Sequence, residues 1–225
     1  MNIRIFDSNE DLVRATARTI TQRVQPGVPA SIAISGGSSP KPLYTLLGQS
    51  DELAQTPITW VVVDERYVPM SDPQSNAAMI ERTLFANGMS PSHRFLRFET
   101  ELNDPQRTAE KFESDWRAHA ITDLDLILLG IGDDGHTASL FPGTPVLDVE
   151  DRIAAAVFVP KLDQWRVTIT KPVIRAAKLR LVFTAGASKA PIVRGVRDGA
   201  DYPITAATSG VETWWMMDRE AASAL

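Results

Sequence analysis

The fold of this chain is decided at residues 124–142, where the sequence reads Leu-Asp-Leu-Ile-Leu-Leu-Gly-Ile-Gly-Asp-Asp-Gly-His-Thr-Ala-Ser-Leu-Phe-Pro. An apolar run of this length that ends at glycine is typical of a buried β-strand. The turn that follows carries Asp133, Asp134 and His136. Because ligands of open α/β sheets bind beyond the carboxyl ends of the strands, the stretch predicts a buried strand with a functional site at its end.

The rest of the chain alternates short apolar runs with helical patterns. The apolar runs predict strands over residues 3–6, 31–35, 58–63, 94–98, 124–129, 153–159, 166–170, 179–184 and 213–218. Capping residues and apolar spacing predict helices that begin near Ser8, Ser39, Gln74, Asp104, Lys171 and Ser188. Strands separated by helices need crossover connections, so the prediction is a doubly wound α/β fold, with a mostly parallel sheet and helices on both faces. No Pro-, Gly- or Ser-rich linker divides the sequence, and a single domain over residues 1–225 is expected.

The composition limits the class of protein. Of the 225 residues, 44% are hydrophobic and 23% are charged, which suits a globular protein with a real core. The net charge is -5 and no Lys/Arg run occurs, which disfavours nucleic acid as a partner. The absence of cysteine excludes disulfides and thiolate chemistry. No stretch reads as a signal peptide or a membrane span, so a cytoplasmic location without membrane partners is expected.

A glycine-rich segment, Ser35-Gly36-Gly37-Ser38-Ser39-Pro40, joins the second predicted strand to a helix. Glycines let the backbone approach a ligand, and helix amides together with serine hydroxyls can hold an anion. Taken alone, the segment is explained slightly better by an ordinary glycine turn with a serine cap. The spacing matches neither a P-loop nor the dinucleotide fingerprint. Gly36, Gly37 and Ser38 are therefore candidate ligand-binding residues, and the motif does not indicate a nucleotide as the ligand.

Charged residues follow the third predicted strand in a predicted loop, Asp64-Glu65-Arg66. Arg66 can hold a phosphate through its two-pronged guanidinium group, and Asp64 can accept a hydrogen bond from a sugar hydroxyl. A surface salt-bridge cluster is the alternative. Lys189 lies at the start of a helix, where its charge opposes the helix dipole, which favours a role in holding an anion. On spacing alone, Arg166 is an ordinary charge at a strand edge.

His136 differs from the other two histidines of the chain. His93 lies in a predicted surface loop, and His119 lies near the end of a helix, so both are expected to be structural. His136 follows Asp134 at a strand end, where a carboxylate can orient an imidazole and support its protonated form. The alternatives are a capping residue and a metal ligand. No second histidine lies at ligand spacing, so no metal is expected.

Five blocks, taken together, resemble the 6-phosphogluconolactonase family and span the chain from about residue 35 to residue 190. They are Ser35-Gly36-Gly37-Ser38, Asp64-Glu65-Arg66, the Gly130–Pro142 block, Arg166-Val167-Thr168 and Gly186-Ala187-Ser188-Lys189-Ala190. Glucosamine-6-phosphate deaminases share this fold, but their Asp-Gly-His block continues into Asn-Glu-Pro. Here Phe141 stands where that carboxylate would be, which argues for the lactonase. Asp133 in place of Glu, and Gln164-Trp165 before Arg166, are smaller departures.

The resemblance implies hydrolysis of 6-phospho-D-glucono-1,5-lactone to 6-phosphogluconate in the oxidative pentose phosphate pathway, without a cofactor or metal. It implies that His136 is the general base and that Asp134 orients it. The implied substrate-binding residues are Gly36, Gly37, Ser38, Asp64, Arg66, Arg166 and Lys189. A sugar-phosphate isomerase or deaminase, or a non-catalytic sugar-phosphate sensor, is the alternative. A monomer or a weak homodimer is expected.

Overall fold

The structure, a computed structural model, describes residues 1–225. Its ten strands are β1 (Asn2–Phe6), β2 (Ala30–Ile34), β3 (Ile58–Val62), β4 (Asp64–Arg66), β5 (Arg94–Leu96), β6 (Leu126–Leu129), β7 (Ala154–Val159), β8 (Gln164–Ile169), β9 (Arg180–Thr184) and β10 (Thr213–Asp218). Its eight α-helices are α1 (Asn9–Arg23), α2 (Lys41–Leu47), α3 (Asp51–Ala54), α4 (Asn76–Thr83), α5 (Pro105–Ala118), α6 (Lys171–Ala176), α7 (Ala190–Arg197) and α8 (Pro203–Thr208). The sequence did not predict α3 or α8, which are short.

Seven parallel strands form the main sheet, in the order β1-β10-β9-β6-β2-β3-β5. From β2 the chain adds β3 and β5 on one side, and it then returns through β6 to build the other side with β9 and β10. The winding direction therefore reverses between β2 and β6, which is the topological switch point where ligands of such sheets bind. The doubly wound, mostly parallel sheet predicted from the sequence is confirmed.

A second, antiparallel sheet of three strands, β4-β8-β7, lies beside the main one. Only the four residues Pro160–Asp163 join β7 to β8, a connection too short for a parallel crossover, so the two strands form a hairpin. The prediction of a loop at Asp64-Glu65-Arg66 was wrong. These residues form β4, because they pair with residues 166–168 of β8, a contact that local sequence cannot reveal.

Local sequence was sufficient to predict some of the helix N-caps but not others. Ser8 caps α1 by accepting a hydrogen bond from the Asp11 amide at 3.1 Å, and Asp104 caps α5, as expected. Ser39 and Ser188 cap no helix, contrary to expectation. In both places the helix begins later, so that a proline in the first turn occupies a position where its missing N–H costs nothing.

One hydrophobic core of 56 buried residues packs both sheets against the helices. Three residues of β10, Trp215, Met216 and Met217, are almost completely buried in this core. Trp214 is half-buried instead, and the guanidinium group of Arg4 lies 3.4 Å from its ring centre. No helix of the protein combines the length and the apolar character needed to cross a membrane.

Candidate active site

A cavity of about 410 Å³ opens at the switch point, beyond the carboxyl ends of the parallel strands. Its walls contain every loop that the sequence analysis singled out, and with them the candidate residues Gly36, Gly37, Ser38, Asp64, Arg66, His136, Arg166 and Lys189. Asp134 is bonded to His136 at its edge. The fold therefore brings into one place residues that are up to 153 positions apart, from Gly36 to Lys189.

His136 and Asp134 form a bonded pair. The imidazole Nδ1 lies 2.5 Å from Asp134 Oδ1, and the His136 backbone amide donates to the same oxygen at 3.2 Å. This contact places the proton on Nδ1 and leaves Nε2 with a free lone pair. Gly132 makes the geometry possible, because a Cβ at that position would lie 2.0 Å from the imidazole ring.

The environment of His136 favours its neutral form. Burial lowers the pKa of His136 to about 4, with the carboxylate of Asp64 opposing the shift and the cations Arg166 and Lys189 adding to it. The expectation that a carboxylate supports the protonated imidazole is therefore outweighed here by desolvation. Phe141 contributes to this apolar surrounding, since its ring stacks on the imidazole with 4.1 Å between ring centres.

The residues that follow His136 fix the loop in place. Thr137 Oγ1 donates to the Gly130 carbonyl at 2.9 Å, which closes the turn on itself. Ser139 Oγ donates to Asp64 Oδ2 at 2.7 Å, which ties the loop to the second sheet. Asp64 is buried, so this bond satisfies one of its oxygens and leaves the other to face the pocket that it lines.

The glycine-rich segment presents unpaired backbone donors to the cavity. The amides of Gly36, Gly37 and Ser38 donate to no acceptor within the protein, and all three residues line the pocket. Gly37 has a φ of +97°, which few other residues adopt without strain. The lack of a side chain at Gly36 is required by packing, because a Cβ there would lie 1.8 Å from the Asn76 side chain.

Two arginines form a cationic wall. Arg66 and Arg166 face each other directly across the antiparallel pairing of β4 and β8. The Nε of each is buried without a hydrogen-bond partner, and the Arg166 side chain makes no hydrogen bond or ion pair at all within the protein. Burial lowers the pKa of Arg166, with Asp64 opposing the shift. Like charges placed opposite each other are unfavourable, so the arrangement favours an anionic ligand between or beside them.

Lys189 reaches the pocket but already has a partner. Its ammonium group donates to Asp133 Oδ1 at 2.5 Å, and this contact lowers the pKa of Asp133. Lys189 itself is the residue before α7 rather than part of its first turn. Its charge is thus partly neutralised in the protein, which distinguishes it from Arg166.

Several residues of the site were not predicted from the sequence. Lys161 lines the pocket and pairs with Asp134, although it comes from the hairpin between β7 and β8. Glu65 is buried, and its carboxylate accepts hydrogen bonds from the amides of Arg66, Asn76 and Ala77, which fixes β4 against the start of α4. Asn76 donates in turn to the Asp64 carbonyl at 2.7 Å. A polar residue at a helix start was the one sequence signal available for Asn76.

The other two histidines lie away from this site, as expected, and both have structural contacts. His93 accepts from Trp60 Nε1 at 3.3 Å and contacts the Leu53 carbonyl at 2.8 Å, so it is a packed residue rather than a free surface one. His119 caps the carboxyl end of α5 and contacts the Asp115 carbonyl. No group of three or more His, Cys, Asp or Glu side chains is arranged to hold a metal ion.

Fold and site together define a class: a doubly wound α/β protein with an acid–histidine pair and a cationic wall in one pocket at the switch point. The chain belongs to the family of glucosamine-6-phosphate isomerases and 6-phosphogluconolactonases, whose model matches residues 7–215. It is 35% identical to the 6-phosphogluconolactonase of a Synechocystis strain, over 93% of this chain and 90% of that protein. It is 30% identical to the human 6-phosphogluconolactonase, over 99% of this chain and 93% of that protein.

A solved structure supports the same grouping. The 6-phosphogluconolactonase of Trypanosoma brucei superposes with a TM-score of 0.85 at 26% identity, covering 100% of this chain and 98% of that one. The agreement extends over the whole chain.

Proposed function

We propose that this protein hydrolyses 6-phospho-D-glucono-1,5-lactone to 6-phospho-D-gluconate, the lactonase step of the oxidative pentose phosphate pathway. One observation carries the proposal: a neutral, oriented histidine shares a pocket with two arginines whose buried Nε atoms have no hydrogen-bond partner within the protein. The first group suits ester hydrolysis, and the second suits a phosphate dianion. The family relatives named above are lactonases of this kind.

His136 acts as the general base in this reaction. Its Nε2 takes a proton from a water molecule while the water oxygen bonds to the lactone carbonyl carbon. The resulting tetrahedral intermediate breaks its bond to the ring oxygen, and the imidazolium returns the proton to that oxygen. Asp134 holds Nδ1 and stabilises the transient imidazolium, and such transfers contribute about 100- to 10,000-fold in rate.

The phosphate group binds at the cationic wall. Arg166 supplies a charge that is not engaged in an ion pair, since its buried Nε has no hydrogen-bond partner within the protein. Arg66 is anchored through Nη1 to the Gln74 carbonyl at 2.7 Å, which leaves its Nη2 for the ligand. Lys189 takes a supporting role, since it has to share its charge with Asp133.

Free backbone amides and a carboxylate complete the substrate contacts. The amides of Gly36, Gly37 and Ser38 are donors for either the phosphate or the developing oxyanion, and Ser38 is the most exposed of the three residues. The free oxygen of Asp64 accepts from a sugar hydroxyl. Each of these roles is a proposal that a ligand-bound structure would test.

The proposal is tested by generating the lactone in place with glucose 6-phosphate dehydrogenase and following its loss. The protein is expected to accelerate that loss well above the spontaneous rate, and to release no ammonia from glucosamine 6-phosphate. Ammonia release without lactone hydrolysis would establish the deaminase alternative. Binding of 6-phosphogluconate without either reaction would establish a sensor.

The phosphate assignment needs its own comparison. An Arg66→Ala protein is expected to lose most of its preference for the phosphorylated lactone over unphosphorylated gluconolactone, because the cationic wall loses one of its two charges. An unchanged preference would remove Arg66 from phosphate binding.

Three further proposals concern the setting of the reaction. We propose a cytoplasmic location, a monomer or weak homodimer, and catalysis without a cofactor or metal. Cell fractionation tests the location, light scattering tests the assembly state, and activity after dialysis against a chelator tests the metal.

A further inference from the structure

Lys161 connects two parts of the site that are distant in sequence. It lies in the connection Pro160–Asp163, at the tip of the hairpin that β7 and β8 form. Its ammonium group donates to Asp134 Oδ2, across 27 positions of sequence. The same ammonium group lies 4.9 Å from the centre of the Phe141 ring. Lys161 thus contacts both the carboxylate that holds His136 and the ring that stacks on it.

The two oxygens of Asp134 have separate partners. Oδ1 contacts His136 Nδ1 at 2.5 Å, and Oδ2 accepts from Lys161. A carboxylate with one free oxygen can turn about its last torsion and offer either oxygen to the imidazole, since this torsion is broad and roughly two-fold. A cation on Oδ2 restricts that motion and keeps Oδ1 towards Nδ1.

The ion pair between Lys161 and Asp134 is expected to contribute little to the stability of the fold. The Lys161 side chain is 52% exposed, and exposed ion pairs contribute little to stability. The chain contains such a pair elsewhere, where Lys178 contacts Asp125 at the opposite, amino-terminal edge of the sheet. That pair touches no part of the pocket, whereas Lys161 lines it.

We propose that Lys161 is a positioning residue for the reaction, which acts on His136 through Asp134. Its charge fixes the carboxylate so that the imidazole keeps its proton on Nδ1 and presents Nε2 to the substrate. The effect on turnover rests on the proposed function, whereas the effect on the imidazole does not.

Several charged groups face the His136 imidazole, and each of them affects its titration. The charged groups that face it are Asp64 from β4, Arg166 from β8, Lys189 from the segment before α7, Asp133 and Asp134 from its own loop, and Lys161 from the hairpin. Removal of the Lys161 cation leaves the Asp134 charge uncompensated. The imidazolium then becomes easier to form.

The kinetic test is a double-mutant cycle. Lys161→Met keeps a flexible apolar stem over Phe141 but removes the charge, and it is expected to lower kcat about tenfold with a smaller change in KM. Lys161→Arg should restore most of the loss. In an Asp134→Asn background, Lys161→Met should change kcat less than twofold, because its target is gone. Lys178→Met is the matched control and should leave both constants unchanged.

The second readout is the NMR titration of His136 in the ligand-free protein, which needs no activity. Lys161→Met is expected to raise the His136 pKa by about half a unit, and Lys178→Met should not move it. An unchanged His136 titration in Lys161→Met would overturn the proposal, and so would additive losses in the double-mutant cycle. A rise in KM alone would instead assign Lys161 to substrate binding. If the protein hydrolyses no lactone at all, the titration still decides the role of Lys161.

Discussion

At the scale of single residues, the site depends on charges held in unfavourable surroundings. Burial opposes the protonation of His136, and the two arginines lie opposite each other with unpaired nitrogens. Such arrangements cost stability in the free protein and become favourable only when a suitable ligand or transition state is present. The site is therefore expected to favour a ligand or transition state that carries negative charge.

The first prediction concerns the protonation of His136. Because burial lowers its pKa to about 4, the imidazole should stay neutral from pH 7 down to about pH 5. NMR titration of the His136 ring protons measures this directly. A midpoint near the ordinary value of about 6.5 would show that the imidazole is not desolvated in solution.

The lowered pKa of His136 also determines how its contribution to the free energy of unfolding changes with pH. The unfolded chain binds a proton at His136 below about pH 6.5, whereas the folded protein does so only near pH 4. Between these values the unfolded state holds more protons, so the contribution of His136 to stability falls as the pH falls through that window. Urea denaturation of a His136→Gln protein should therefore show a weaker loss of stability between pH 6.5 and 4 than the wild type shows.

At the scale of elements, the site depends on contacts that join one segment to another. Ser139 joins the histidine loop to β4, Glu65 joins β4 to α4, and Lys161 joins the hairpin to Asp134. At the amino-terminal edge of the sheet, opposite the pocket, Arg180 is buried at the start of β9. It donates to the carbonyls of Ile174, Arg175 and Ala177 at the end of α6. It also donates to the Glu212 carbonyl before β10.

The second prediction follows from Arg180. Arg180→Met should lower the free energy of unfolding by at least about 2 kcal/mol, because several buried carbonyls lose their donor at once. Arg197→Met, which removes a more exposed arginine paired with Asp198, should stay within about 0.5 kcal/mol of the wild type. Urea denaturation measures both. Equal stabilities of the two variants would show that Arg180 does not hold α6 to the sheet.

The elements also show what local sequence can and cannot predict. The strand and turn at residues 126–136 follow from an apolar run, two glycines and the position of His136, all of which are adjacent in sequence. The pairing of β4 with β8 joins residues about 100 positions apart, so nothing local marks Asp64 as a strand residue or Arg166 as buried. Lys161 was missed for the same reason, since its significance depends on a partner 27 positions away.

At the scale of the whole molecule, the winding of the chain accounts for the place of the site. The chain builds outward from β2 on one side and from β6 on the other, so the loops after these two strands diverge and leave a crevice. The alternation of strands and helices was enough to predict this architecture. The second sheet was not predictable as a unit, yet it supplies Asp64, Arg66 and Arg166 to the crevice.

The third prediction concerns the folded molecule and its ligand. Inorganic phosphate should stabilise the protein by about 2.7 kcal/mol at 100 times its dissociation constant, because it neutralises the cationic wall only in the folded state. For a chain of this size the midpoint of thermal unfolding should rise by several degrees. Sodium chloride at equal ionic strength is the control. An Arg166→Met protein that kept the full phosphate effect would contradict the assignment of the wall.

We propose that His136, held by Asp134, is the general base that activates water for hydrolysis of the lactone. The most direct test of this role is the rate of loss of enzymatically generated 6-phosphogluconolactone in the presence of wild-type protein and of a His136→Ala protein, each corrected for spontaneous hydrolysis. The variant is expected to lose about 100-fold or more of the rate, with its fold preserved as judged by circular dichroism. Turnover by His136→Ala close to that of the wild type would contradict it.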